Sequence, residues 1–213
     1  LAGRDMIVGV DRLDYSKGLE ERFQGYEGYL RMNPAERGEV FLLQIAPPSR
    51  EDVASYQEIR TRLDALSGRI NGEFADFDWV PLRYVNRGYS RDVLAGLYRA
   101  ARVGLVTPLR DGMNLVAKEY VAAQEAADPG VLILSRFAGA AQQLTEAILV
   151  NPYSADELAF AIRTALEMPL EERKRRWKLL EKCVREENVA EWTANFTRDL
   201  KSIVRPCSLS GGE

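Results

Sequence analysis

The sequence predicts an α/β fold: a Rossmann-like parallel sheet of about six strands, flanked by helices and followed by a C-terminal helical extension. Three observations predict it. Short, continuous apolar runs rich in Val, Ile and Leu recur along the chain, as in strands covered on both faces. Between them lie amphipathic segments of helical spacing. The alternation repeats about five times, which implies right-handed crossovers and a parallel sheet.

Each element follows in order. Met6-Ile7-Val8-Gly9-Val10 is the first strand and Val40-Phe41-Leu42-Leu43-Gln44-Ile45 the second. Ser49 with Asp52 reads as the N-cap of a helix running to Leu66. Trp79-Val80-Pro81-Leu82 is the third apolar run. Val93, Leu94, Leu97 and Tyr98 then share one helical face. Val103-Gly104-Leu105-Val106 is the fourth run, and a helix begins near Asn114. Val131-Leu132-Ile133-Leu134 and Ile148-Leu149-Val150 complete the strands. Leu158, Ile162 and Leu166 line one face of a helix from Ser154 to Glu167, and Pro169 opens another through Glu187. A last amphipathic helix carries Trp192, Phe196, Leu200 and Ile203, and its apolar stripe needs a cover. The tail from Pro206 to Glu213 reads as frayed. The expected division is therefore a Rossmann-like domain over 1–187 and a helix with its tail over 188–213.

Hydrophobic residues make up 46% of the 213, enough for a sizeable core. Charged residues make up 29% and nearly cancel to −3, so the overall field selects neither nucleic acid nor an anionic membrane. No apolar run approaches the ~20 residues of a membrane span, and no signal-peptide pattern is visible. The first residue is Leu rather than Met, as in a piece of a longer chain. Cys183 and Cys207 form neither a disulfide framework nor a zinc spacing. That pattern fits a reducing cytoplasm. There is no histidine, which excludes His-based triads, His metal sites and His general bases. Any chemistry rests on Asp, Glu, Arg, Lys or backbone groups.

Ligands of such sheets sit beyond the carboxyl ends of the strands, so the loops after the apolar runs hold the candidates. The first run leads into Asp11-Arg12-Leu13-Asp14-Tyr15-Ser16-Lys17-Gly18. Arg12 in the loop and Lys17 at the next helix start make an anion site; alternatively they pair with Asp11, Asp14 or Glu20. Arg50 opposes the dipole at a helix start, which points to an anionic partner or to simple solvation and pairing with Asp52. The fourth run leads into Thr107-Pro108-Leu109-Arg110-Asp111-Gly112-Met113-Asn114-Leu115-Val116-Ala117-Lys118-Glu119. Gly112 permits a tight turn and close backbone approach. Free N–H groups from Met113 to Val116 offer a phosphate cradle. Asp111 and Glu119, eight residues apart, can reach hydroxyls at two ends of one molecule. The competing account is an ordinary capped helix with Lys118 and Glu119 in solvent.

Weaker signals remain. Tyr89 either packs on a flat base or joins the core. Arg136-Phe137-Ala138-Gly139-Ala140-Ala141 either approaches a ligand or only closes a turn. The run Arg173-Lys174-Arg175-Arg176, interleaved with glutamates, reads as a solvated helix face. No Gly-x-Gly-x-x-Gly follows the first strand, against a dinucleotide oxidoreductase, and no Gly-Lys-Ser/Thr occurs, which excludes a P-loop.

These stretches together resemble the trehalose-6-phosphate synthase family. The resemblance rests on Asp11 to Gly18, on Gln44-Ile45-Ala46-Pro47-Pro48-Ser49-Arg50 and on Thr107 to Tyr120. Leu134 to Ala141 and Val150-Asn151-Pro152-Tyr153 agree, so it covers roughly Ile7 to Ile203. It implies the C-terminal, donor-binding half of a GT-B fold, with the active site in the cleft between two domains. It implies transfer of glucose from UDP-glucose to glucose 6-phosphate with retention, no required metal and no cofactor, UDP-glucose being a substrate. By motif position, Arg12 and Lys17 would hold the donor diphosphate and Asp111 the glucose, these three forming the catalytic set. Gly112, Met113 and Asn114 would surround the sugar. Leu115 and Val116 would offer backbone N–H groups to the phosphates, Glu119 would bind the ribose, and Tyr89 would lie beside the uracil. Arg50 would reach the acceptor phosphate.

The family's N-terminal domain, which supplies most acceptor contacts, would precede residue 1. The isolated chain is thus expected to bind UDP or UDP-glucose without turnover, and the last helix to cross onto that domain. Two other accounts remain open. One is a related transferase or pseudo-glycosyltransferase with another donor base, such as ADP or GDP, or another acceptor. The other is a nucleotide-sugar sensor that has lost catalysis. Homo-oligomerisation of the full-length protein is also left open.

Overall fold

The computed structural model describes residues 3–49, 54–187 and 189–203. Six parallel strands form one sheet: β1 (Asp5–Val10), β2 (Val40–Ile45), β3 (Leu82–Val85), β4 (Val103–Val106), β5 (Val131–Ser135) and β6 (Ile148–Val150). Their spatial order is β3-β2-β1-β4-β5-β6. Ile7 pairs with Leu42 on one side and with Val103 on the other. Strand order therefore reverses between β1 and β4, and a crevice opens there beyond the strand ends.

Among the described residues, six α-helices flank the sheet, α1 (Leu19–Met32), α2 (Ala54–Phe74), α3 (Arg91–Ala100), α4 (Leu115–Ala123), α5 (Ala155–Glu167) and α6 (Leu170–Glu186), and a seventh, α7 (Val189–Ile203), follows them largely exposed. The four central strands bury both faces by alternation, whereas β3 and β6 at the edges leave Arg83 and Leu149 exposed. Ile7, Leu42, Leu105 and Ile133 face a core shared with α1, α2 and α5. Val8, Phe41, Val106 and Leu132 face a second core shared with α3, α4 and α6. Ser154 caps α5, its hydroxyl accepting from Glu157 N at 3.2 Å, and Leu158 and Ile162 are buried as their spacing predicts.

The third strand differs from expectation. It occupies Leu82–Val85, not the run Trp79–Leu82. Pro81 has no N–H to give a ladder, and its carbonyl instead accepts from Leu42 N at 2.8 Å. Trp79 buries its ring in the core, and its indole N–H donates to Val40 O at 2.9 Å. A second correction concerns the basic run. Lys174, Arg175 and Arg176 pair with Glu171, Glu172 and Glu146 near the surface, but Arg173 is buried and donates to Asp128 and to Pro129 O. One position of a charged helix face thus pins the loop before β5. The N-cap expected from Ser49 and Asp52 falls partly on residues outside those described, and the tail from Pro206 to Glu213 lies wholly outside them. Among the described residues, no helix is long and apolar enough to cross a membrane.

Candidate active site at the strand crossover

The crevice between β1 and β4 is walled by three loops stitched together through their backbones. Leu109 N donates to Ser16 O at 2.8 Å, joining the β4 loop to the β1 loop. Gly139 N donates to Asp111 O at 3.0 Å and Ala140 N to Met113 O at 2.8 Å, joining the β5 loop to the β4 loop. Asp111 and Ala138 form a parallel bridge. This lacing fixes side chains that lie far apart in sequence.

Lys17 ends a short 3-10 turn, Tyr15–Lys17, whose N-cap is Asp14. Asp14 accepts from Ser16 N at 2.9 Å, from Ser16 Oγ at 2.8 Å and from Tyr56 at 3.2 Å. Burial works to raise the Asp14 carboxyl, but these hydrogen bonds and the Lys17 charge outweigh it and hold it below the usual range. Lys17 Nζ lies 2.5 Å from Asp111 Oδ2. Neither Asp11, Asp14 nor Glu20 takes it, contrary to the local pairing open in the sequence. Both side chains are largely shielded, at 17% and 18% exposure, so the ion pair is held at the crevice wall. Arg12 lies exposed on the same loop, with no ion pair to any described residue.

Asn114 starts α4. It stands in the left-handed region at φ 74°, alone among described non-glycine residues. Its side chain accepts from Ala117 N at 3.3 Å, while its amide donates to Asp111 Oδ2 at 3.1 Å. Asp111 therefore receives both Lys17 and the cap residue. The N–H groups of Leu115 and Val116 begin the helix just beyond this cap, where the dipole favours anions. Glu119 stands exposed one turn further on. It also lines a groove of about 510 Å³ between α3 and α4 with Leu94, Tyr98 and Arg99. Burial, then the Glu119 charge, pushes the Tyr98 phenol above its ordinary value.

Gly112 lies open within this chain. It does not adopt positive φ, and a side-chain carbon added there would meet nothing within 4 Å. The close approaches belong to Gly18 and Gly139. Gly18 stands at φ 65°, 2.3 Å from the Thr107 carbonyl measured from its would-be Cβ; Gly139 stands 2.0 Å from the Gly112 carbonyl. Tyr89 follows the core-packing alternative in part. It packs against the second core, and Arg87 covers its ring at 4.8 Å while donating to its hydroxyl at 2.8 Å. Arg50 lies outside the described residues. Among those described, no cluster of His, Cys, Asp or Glu could hold a metal ion.

The sequence model of glycosyltransferase family 20 matches residues 1–202. The chain belongs to glycosyltransferase family 20. It is 53% identical over 204 residues to the trehalose-6-phosphate synthase of Sinorhizobium fredii, covering 96% of this chain and 44% of that protein. The enzyme of Sodalis glossinidius is also 53% identical, over 206 residues, with 97% and 44% covered. Among solved structures, the UDP-forming α,α-trehalose-phosphate synthase of Burkholderia xenovorans, in complex with glucose-6-phosphate, superposes with a TM-score of 0.91. It is 56% identical, with 93% of this chain and 44% of that one covered. A chain from E. coli bound with UDP-2-fluoro glucose gives 0.91 at 51% identity, covering 95% and 45%. The chain thus spans less than half the length of these relatives.

In this family 20 chain, the crossover brings Lys17 and Asn114 onto Asp111 at the start of α4, while Arg12 stands exposed on the β1 loop. Sequence reasoning missed the buried layer beneath them: Asp11, Arg22, Gln44 and Thr107. Arg22 sits in the first turn of an amphipathic helix, where its charge reads as solvent-facing. The absence of a side chain at Gly9, directly opposite, was the available signal.

Proposed function

We propose that this chain is the donor-binding half of a glycosyltransferase that moves glucose from UDP-glucose to glucose 6-phosphate, giving trehalose 6-phosphate and UDP with retention. The observation that carries the proposal is the Lys17–Asp111 ion pair, 2.5 Å long, set beside exposed Arg12 and the amide end of α4. It supplies fixed cations and dipoles where a diphosphate would lie. Family membership and the substrates of the similar solved enzymes support the same reading.

Each residue then has a task. Arg12 offers a planar fork and Lys17 a point charge to the diphosphate, and the N–H groups of Leu115 and Val116 complete the cradle. Asp111, held by Lys17 and Asn114, accepts from a glucose hydroxyl while the Lys17 ammonium keeps its place beside the phosphates. Gly112, with open space where a side chain would begin, leaves room for the sugar beside Met113 and Asn114. Glu119 binds the ribose hydroxyls and Tyr89 lies beside the uracil. Arg50 serves the acceptor phosphate. As the sugar–phosphate bond breaks, negative charge grows on UDP. Donors already in place stabilise it without reorganising, and loss of one costs on the order of 10²–10³ in rate.

Residues 1–187 form the donor domain, and α7 packs on the remainder of the longer protein, which supplies most acceptor contacts. The chain alone binds UDP without turning over. Calorimetric titration tests this. UDP should bind, and Arg12→Ala and Glu119→Ala should each weaken it about tenfold, roughly 1.4 kcal/mol. No UDP binding by the intact chain sinks the assignment. Titration with UDP-, ADP- and GDP-glucose identifies the donor base.

A further inference from the structure

We propose that Arg22 is the positioning residue of this site: a buried cation that ties three strand ends together and so holds Lys17 against Asp111. The inference rests on the reading of the crevice as a nucleotide diphosphate site and assigns a residue beneath it.

Arg22 belongs to α1 yet is completely buried. Its guanidinium uses each nitrogen for a different element. Nε donates to Thr107 Oγ1 at 2.9 Å, at the end of β4. Nη1 donates to Gln44 Oε1 at 2.8 Å, on β2. Nη2 lies 2.8 Å from Asp11 Oδ2, at the end of β1, and 3.4 Å from the backbone oxygen of Lys17. One rigid fork therefore spans both sides of the crossover and touches the residue whose ammonium faces the crevice. Lysine could not do this with a single nitrogen.

The surrounding chain makes room for it. A Cβ at Gly9 would stand 2.4 Å from Gln44 Oε1 and 2.7 Å from Arg22 Nη1. Strand β1 leaves the place empty. Gln44 is held in turn, its amide donating to Ile45 O at 3.1 Å. Thr107 and Gln44 are fully buried as well.

Stability alone does not account for this layer. Two charges taken out of water carry a desolvation cost, and apolar residues of similar volume commonly do as well or better in such places. What apolar residues lack is direction. The fork sets the relative placement of the β1 and β4 loops, and with it Lys17 and Asp111, before any ligand arrives. Preorganised charge of this kind is what stabilises a departing diphosphate.

The test compares the intact chain with Thr107→Val, Arg22→Lys and the double variant Arg22→Met/Asp11→Leu. Two readouts are taken: the 15N-ammonium NMR signal of Lys17, assigned by its loss in Lys17→Gln, and the UDP dissociation constant. We expect cooperative unfolding in Thr107→Val and Arg22→Lys, with faster hydrogen exchange at the Lys17 ammonium and UDP affinity reduced about tenfold. The double variant should lose affinity further while melting near the parent temperature. If it does not fold, the two single variants carry the same comparison. Folded variants whose Lys17 exchange and UDP affinity stay within twofold of the parent overturn the proposal. If the parent chain does not bind UDP, the functional reading falls, while the Lys17 signal still decides the role of Arg22.

Discussion

A methyl group added at Gly139 would lie 2.0 Å from the Gly112 carbonyl oxygen, whereas one added at Gly112 would meet nothing within 4 Å. The two substitutions should behave oppositely. Gly139→Ala forces the β5 loop off the β4 loop and should cost about 2 kcal/mol, as overpacking does. Gly112→Ala should leave the melting temperature unchanged and instead weaken donor binding, because its open space belongs to the sugar in the proposed site. Urea denaturation and UDP-glucose titration of both variants check the pair. Asn114 carries a different burden, a left-handed backbone together with the N-cap of α4. Asn114→Ala should cost roughly 2 kcal/mol, from the backbone penalty and the lost cap. Asn114→Gly should cost much less, since glycine enters that conformation freely.

Helices α1 and α2 are joined by a carboxylate on one and a guanidinium on the other. Arg69 donates to both oxygens of Glu27, at 2.5 and 2.7 Å, and Arg31 adds a third bond at 2.8 Å. The hydrogen bond from Arg69 is the largest influence on Glu27. With Arg31 it outweighs burial and holds the carboxyl below 4.5. A group depressed in this way stabilises the fold above its unfolded value, and the contribution disappears as pH falls through the folded value. Arg69 is half exposed, so the contribution is about 1 kcal/mol or less. Glu27→Gln should lower stability at neutral pH by that amount and flatten the stability curve below about pH 4.5. Thermal melts from pH 3 to pH 7 show whether the two curves converge at the acid end. Helix α4 follows a different logic: its start is defined by Asn114 and Asp111, side chains that also belong to the candidate site, so its register and the site geometry are one feature.

At the scale of the whole molecule, the described residues of α7 leave an apolar surface uncovered. Trp192 and Phe196 stack at 5.2 Å on α7, yet they stand 57% and 54% exposed, with Leu200 beside them. In this chain they contribute little burial, so Trp192→Ala/Phe196→Ala should shift stability by no more than about 0.5 kcal/mol. If α7 packs on the remainder of a longer protein, as proposed, the same pair should destabilise that protein by several kcal/mol. Melting both forms separates the two effects. Ligand linkage is the other molecular property. UDP at about 100 times its dissociation constant should stabilise the intact chain by ~2.7 kcal/mol, and a titration that leaves the melting temperature fixed removes the donor site from this molecule.

Much of this protein can be read along the chain. Runs of Val, Ile and Leu mark strands because a sheet covered on both faces requires them. Ser154 and Asn114 mark helix starts because their side chains accept from amides nearby in sequence. The motif around Asp11 to Gly18 and Thr107 to Glu119 locates the crevice, since the carboxyl ends of strands hold the ligands of such folds. The third strand was misplaced because Trp79 and Val80 are apolar for reasons other than pairing. What folding alone decided is which charges meet. Lys17 could have paired within its own loop, and it meets Asp111, 94 residues away. Arg22 and Arg173 look solvent-facing by local pattern and are buried against partners distant in sequence, Thr107 and Asp128. Periodicity reports which face of an element turns inward, but the partner of a buried charge is set by strand order and loop register. Those are global properties, and here they place a buried arginine beneath the crevice that the motifs had already located.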